Sequence, residues 1–239
     1  MEIVVVGTGN VATHLAPALQ RAGHVVHVVP SRGMVQLPHA ELYVVAVKDD
    51  ALPAVVAQMR RLASGPIVHT AGSVPASVAD GVLYPMQTFS KARAVDFSSV
   101  HFFIEAATPA LQDMLQAVAA SVVGPGQVHR LDSEGRKRLH LAAVFACNFV
   151  NHCCTLAADV LRPAGVAFDV MLPLLDETVA KLHQMAPAQA QTGPAARHDQ
   201  SVMQAHCQLL AKQPHMQHIY NMLSQSIENY TKNDQLRPD

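Results

Sequence analysis

Glu2-Ile3-Val4-Val5-Val6 runs without a break into Gly7-Thr8-Gly9-Asn10-Val11-Ala12. The first run is short, apolar and β-branched, so it reads as a buried strand. The second is a GxGxxA turn, and a helical pattern from Val11 to Ala22 follows it. A further apolar run, Val25 to Val29, stands where the next strand of a βαβ unit belongs. Each small residue in the turn has a steric reason: Gly7 for the tight bend, Gly9 for close approach of a pyrophosphate, Ala12 for helix–strand packing. The helix start offers unpaired N–H groups and the positive end of its dipole. Gly7, Thr8, Gly9, Asn10 and Val11 are therefore the first cofactor-binding candidates.

The second strand tells which dinucleotide to expect. An NAD-type site wants a carboxylate at that strand end for the ribose hydroxyls. No Asp or Glu occurs between Glu2 and Glu41, and the strand ends in Val29-Pro30-Ser31-Arg32. A hydroxyl beside a guanidinium suits a 2′-phosphate, which Arg grips with forked, charge-assisted bonds. Ser31 and Arg32 thus point to NADP(H). Val47 and Lys48, after the third strand, should pass over the cofactor.

Short apolar runs alternate with helical stretches through the first half, at Ile3–Val6, Val25–Val29, Leu42–Val47, Ile67–His69, Val82–Tyr84 and His101–Glu105. That alternation predicts an α/β fold, a doubly wound parallel sheet with helices on both faces. A last edge strand is expected at Gln127–Leu131. Beyond it strand signals vanish, and helices are expected over Ser133–Leu161, Asp169–Met185, Asp199–Ala211 and His215–Asn229. The division this predicts is residues 1–131 for the nucleotide-binding domain and 132–239 for an all-helical domain serving substrate binding and dimerisation.

Composition narrows the classes. Net charge is −1 and no basic block occurs, so nucleic acid is not an expected partner. No apolar run reads as a membrane span. A strand follows Met1 at once, so no leader is expected, and four unpaired cysteines in helical context suit a reducing, cytoplasmic setting. Fourteen histidines invite a metal reading, but His215 with His218, and His206 beside Cys207, bring no third ligand, so no metal is expected.

The stretch Leu139 to Thr155 is apolar almost all round. At about 100° per residue, Lys137, His140, Asn148 and Asn151 fall within a stripe roughly 80° wide. Polar groups on a buried helix need partners. Those partners are either substrate and nicotinamide or a structural network. In an open α/β sheet, ligands bind beyond the carboxyl ends of the strands. His69 and Ser73 follow the fourth strand and Gln87 the fifth, so these three are the substrate-side candidates.

Several segments together resemble one family: Gly7 to Val11, His69-Thr70-Ala71-Gly72-Ser73, Tyr84-Pro85-Met86-Gln87-Thr88-Phe89-Ser90, Lys137 to Asn148, and Thr192-Gly193-Pro194. The chain is similar to the bacterial Rossmann-like NADP oxidoreductases with a helical C-terminal domain of unknown function. These sit in the 6-phosphogluconate dehydrogenase-like superfamily, beside pyrroline-5-carboxylate reductase and ketopantoate reductase. The resemblance implies an NADP-binding Rossmann domain and a helical domain that forms a homodimer. In the β-hydroxyacid dehydrogenase relatives, a Lys on the first helix of the second domain is general acid/base, with an Asn one turn later. Lys137 matches that Lys, whereas this chain places His140 and Leu141 one turn on and no Asn before Asn148. Where the family often has His, this chain has Tyr84.

The expected function is hydride transfer between NADP(H) and a C=O or C=N group of a small anionic metabolite. His140 or Lys137 exchanges the proton, and Asn148 orients substrate. A non-catalytic NADP-binding or regulatory protein is the alternative.

Overall fold

The computed structural model describes residues 1–234. Seven strands form one sheet in the order β2-β1-β3-β4-β5-β6-β7. They are β1 (Glu2–Val6), β2 (Val25–Val29), β3 (Leu42–Val45), β4 (Ile67–His69), β5 (Gly81–Met86), β6 (His101–Ala106) and β7 (Val128–Arg130). Helix α1 (Asn10–Arg21) joins β1 to β2, α2 (Leu52–Met59) joins β3 to β4, and α3 (Pro109–Val123) joins β6 to β7.

Successive side chains of a strand face opposite ways. Here both faces are covered. Ile3 and Val5 pack with Leu15, Leu19, Leu42 and Val44, and with Leu115 of α3. Val4 and Val6 pack with Tyr43, Val45, Leu52, Val56 and Met59 on the α2 side. This explains why the inner strands are continuous apolar runs rather than alternating ones.

An all-parallel sheet is corrected at one pairing: β5 and β6 are antiparallel, with Tyr84 opposite Phe103. The segment between them carries only a 3-10 turn at Phe97–Ser99. Antiparallel neighbours need no crossover helix, and the sequence supplies none there. The helix α3 that follows then makes the β6–β7 pair parallel.

The chain divides into two compact units, Met1–Phe149 and Val150–Asp239. The first includes α4 (Ser133–Ala143) and a π-helical turn, Val144–Phe149. The second holds α5 (Val150–Leu161), α6 (Leu172–Leu182), α7 (Gln200–Leu209) and α8 (Pro214–Asp234). Within it Gly165 ends the α5 segment in the left-handed region at φ 68°. Asp199 caps α7 by accepting from the Val202 amide, and the His206 ring meets the Tyr220 hydroxyl of α8 at 2.9 Å.

The long helix departs from expectation in two ways. It is not uniformly α-helical, because the π turn interrupts it. It is also long and apolar enough, over Ser133–Ala164, to cross a membrane by length and composition. Histidine and asparagine scattered through the run broke up the apolar pattern in the sequence without lowering its average enough. Several of its apolar positions are exposed, among them Phe145 at 61% and Phe149 at 50%.

Candidate functional site

Parallel order reverses at β1, whose chain leaves toward β2 on one side and has β3 on the other. Ligands of open α/β sheets bind in the crevice this creates. A cavity of about 620 Å³ lies there, lined by residues 7–11, 30–32, 46–48 and 51. Every cofactor candidate from the sequence lines it: Gly7, Thr8, Gly9, Asn10, Val11, Ser31, Arg32, Val47 and Lys48.

Local physics shapes this cavity. Gly7 has φ +131°, and a Cβ on it would lie 2.2 Å from the Ala46 carbonyl oxygen. The turn is therefore drawn against the end of β3, where the Ala46 amide also bonds the Val6 carbonyl at 2.8 Å. Gly9 differs, for the nearest atom to its Cβ position would be 4.0 Å away. The backbone at Gly9 is bare toward open space, as a cradle for phosphate requires. Helix α1 starts with no side-chain cap and no acidic residue in its first turn. Its orphan amides and dipole are left for an anion. Arg32 and Lys48 are exposed, and among the described residues neither is in an ion pair. The group these features fit is a phosphorylated dinucleotide.

Asn10 does more than line the cavity. Its side chain donates to the Phe89 carbonyl at 2.9 Å, while the His14 ring stacks on Phe89 and reaches the Ser90 carbonyl. The loop after β5 is thus fastened to the start of α1. Gln87, in that loop, lines a different cavity with Thr88, Ser90 and Arg93, and its side-chain Oε1 accepts from the Thr88 amide.

The substrate-side candidates separate. Ser73 donates to the carboxylate of Asp49, joining the loops after β4 and β3. His69 is fully buried. Its Nε2 meets the Pro75 carbonyl at 3.2 Å and its Nδ1 accepts from the Ala71 amide at 3.2 Å. Burial, opposed by the Pro75 bond, pulls its pKa from 6.5 to about 4, so the ring is neutral. Both ring nitrogens of His69 are thus engaged within its own loop.

The stripe on α4 also separates. Lys137 is exposed and paired with Glu134 one turn back, at 2.7 Å. His140 lies inward, with Nδ1 3.5 Å from the Tyr84 hydroxyl and the two rings edge to face. Gly72 makes room for both: a Cβ there would be 2.8 Å from His140 Nδ1 and 2.9 Å from Tyr84 Cζ. Asn148 is exposed within the π turn. A π turn winds less per residue than an α turn.

Arg136 is the residue that pattern reading missed. It is fully buried on α4, ion-paired with Glu105 of β6, and donates to the Val74 carbonyl and Ser133. The Ser133 hydroxyl donates to Glu105 and accepts from the Ala76 amide. The first turn of α4 is thereby fixed to β6 and to the loop after β4, which sets where His140 stands. The only sequence signal was the Ser-x-x-Arg spacing beside a strand-end Glu, too common to single out.

The family model for a domain of unknown function, DUF2520, matches residues 100–227, more than half of the chain. No curated protein matches. Among solved structures, BF3122 from Bacteroides fragilis, named as an NADP oxidoreductase, is 43% identical, covers 95% of this chain and 98% of its own, and has a TM-score of 0.86. TM1727 from Thermotoga maritima is 18% identical, with 98% and 99% covered and a TM-score of 0.73. A reductive aminase from Aspergillus terreus, in complex with NADPH and ethyl levulinate, is 16% identical, with 97% and 94% covered and a TM-score of 0.68. These last two share the fold. With its switch-point cavity, its helical second half and this identity to BF3122, the chain belongs to the DUF2520 family and has the Rossmann fold of the 6-phosphogluconate dehydrogenase-like superfamily.

Proposed function

We propose that this chain is an NADP(H)-dependent oxidoreductase acting on a C=O or C=N group of a small anionic metabolite. One observation carries the reading: the glycine-turn, Ser31-Arg32 and Val47-Lys48 line a single cavity at the switch point, with exposed cations and no carboxylate at the second strand's end. Gly7 to Val11 hold the pyrophosphate, chiefly through backbone amides. Ser31 and Arg32 hold the 2′-phosphate. Lys48 and Val47 cover the middle of the cofactor. NADP(H), when bound, supplies or receives the hydride.

The chain itself handles the proton. His140 gives it to the substrate heteroatom on reduction and takes it back on oxidation. Lys137, solvated and paired with Glu134, is the weaker candidate. Asn148 orients substrate, and Ser73 borders the same end through its bond to Asp49. We assign the functional division to residues 1–131 and 132–239, the strand-bearing and helical parts. A homodimer in the cytoplasm is part of this reading, because apolar helix positions such as Phe145 and Leu174 are exposed in the single chain. Turnover of NADPH against a panel of keto acids and imines tests the activity. Activity lost in His140→Gln but kept in Lys137→Gln supports the assignment, and the reverse pattern overturns it.

A further inference from the structure

The Tyr84 hydroxyl lies at Nδ1 of His140, and no other side chain among the described residues hydrogen-bonds that ring. Gly72 is pressed against both partners, so the loop after β4 closes the third side. Nε2 has no hydrogen-bond partner among the described residues. We infer that Tyr84 is a positioning residue that accepts the Nδ1–H of His140, so that the neutral ring keeps its lone pair on Nε2. This rests on the proposed role of His140 in proton exchange and names the nitrogen that performs it.

The direction of the bond follows from the surroundings of the phenol. A hydroxyl donates one hydrogen and accepts on its lone pairs. Burial, chiefly, and the nearby Asp49 carboxylate raise the Tyr84 pKa above its ordinary value, so the group stays a phenol. The hydroxyl hydrogen can rotate away from His140, which leaves a lone pair for Nδ1–H. A histidine that exchanges protons at Nε2 needs the other nitrogen to hold a hydrogen in both charge states. Tyr84 can accept that hydrogen from the imidazolium and from the neutral ring alike. A carboxylate in its place would bind the imidazolium more tightly and hold back its proton, whereas a neutral phenol orients the ring without that cost.

The free histidine side chain favours the opposite tautomer, with hydrogen on Nε2. The inference therefore predicts a departure that nitrogen NMR reads directly. The full-length protein, labelled with ¹⁵N-histidine, is examined at roughly pH 8.5, above the usual imidazole range. A His140→Gln sample identifies the ring's signals. Native His140 should give the Nδ1–H pattern. Tyr84→Phe keeps the ring and removes the hydroxyl, and should return His140 to the Nε2–H pattern. Gly72→Ala, which wedges a methyl between the partners, should do the same and decides the matter if Tyr84→Phe fails to fold. An Nε2–H or doubly protonated ring in the native protein overturns the inference. So does an unchanged pattern in either folded variant. NADP⁺ titration of the same samples by fluorescence reports separately on the cofactor site: failure there counts against the proposed function and leaves the tautomer result standing.

Discussion

Gly7 approaches Ala46 so closely that a single methyl group on residue 7 would lie 2.2 Å from the Ala46 carbonyl oxygen. The phosphate turn and the end of β3 are one construction, and Gly9, two residues on, has no such neighbour. The two glycines should therefore respond differently to substitution. Gly7→Ala meets both a positive φ and a backbone clash, and should cost about 1–3 kcal/mol from the conformation alone, with more from the clash. Gly9→Val should leave the thermal midpoint near the parent's while abolishing NADP⁺ binding, because the side chain enters the cavity. Thermal melts beside fluorescence titrations of both variants check this, and nucleotide binding kept by Gly9→Val would remove the turn from the site.

His69 gives a pH dependence with a definite sign. Its ring is held neutral in the folded chain, near pKa 4 against 6.5 when free. Between those values the unfolded chain binds the extra proton, so stability rises with pH through that window. The contribution is complete above about pH 6.5 and is lost as pH falls toward 4, amounting to about 3 kcal/mol at about 1.4 kcal/mol per unit. Denaturant unfolding from pH 4 to 7.5 should show this slope, and His69→Gln should flatten it.

Glu105 and Arg136 make a further prediction. The Arg136 side chain is 1% exposed, and its partner's is 25% exposed. Glu105→Gln leaves a buried guanidinium without its counter-charge, at a cost of about 3–5 kcal/mol. The Ser133 bridge and the placement of α4 depend on the same carboxylate. Chemical denaturation should find the loss, and a stability within experimental error of the parent would show that the pair is dispensable.

The exposed apolar side of the long helix predicts a dimer. Light scattering at micromolar concentration should give twice the chain mass, and Phe145→Glu should yield a monomer. A monomeric parent would remove the dimer from the proposal.

How much of this was legible in the sequence depends on how local each determinant is. The β1–turn–α1 unit was, because Gly7, Gly9 and the apolar run before them act within a few residues of one another. The cavity followed, since strand ends collect at the switch point whatever the details. The β5–β6 reversal was not, because strand direction depends on how the chain returns between Met86 and His101. The different fates of Lys137 and Arg136 were also hidden. They are adjacent and alike in charge, and only Glu105, on another element, decides which is buried. The π turn at Val144–Phe149 leaves no mark in apolar periodicity, so the break in the α-helix could not be read from spacing. That both nitrogens of His69 are engaged by its own loop was not legible, because Ala71 and Pro75 reach them through backbone atoms.

The most direct test of the account is calorimetric titration of the parent and Arg32→Ala with NADPH and NADH. The parent should bind NADPH more tightly, and Arg32→Ala should erase the difference, losing roughly 1.5–3 kcal/mol for a charged hydrogen-bonded contact. Equal affinity of the parent for both cofactors, or a preference untouched by Arg32→Ala, would contradict it.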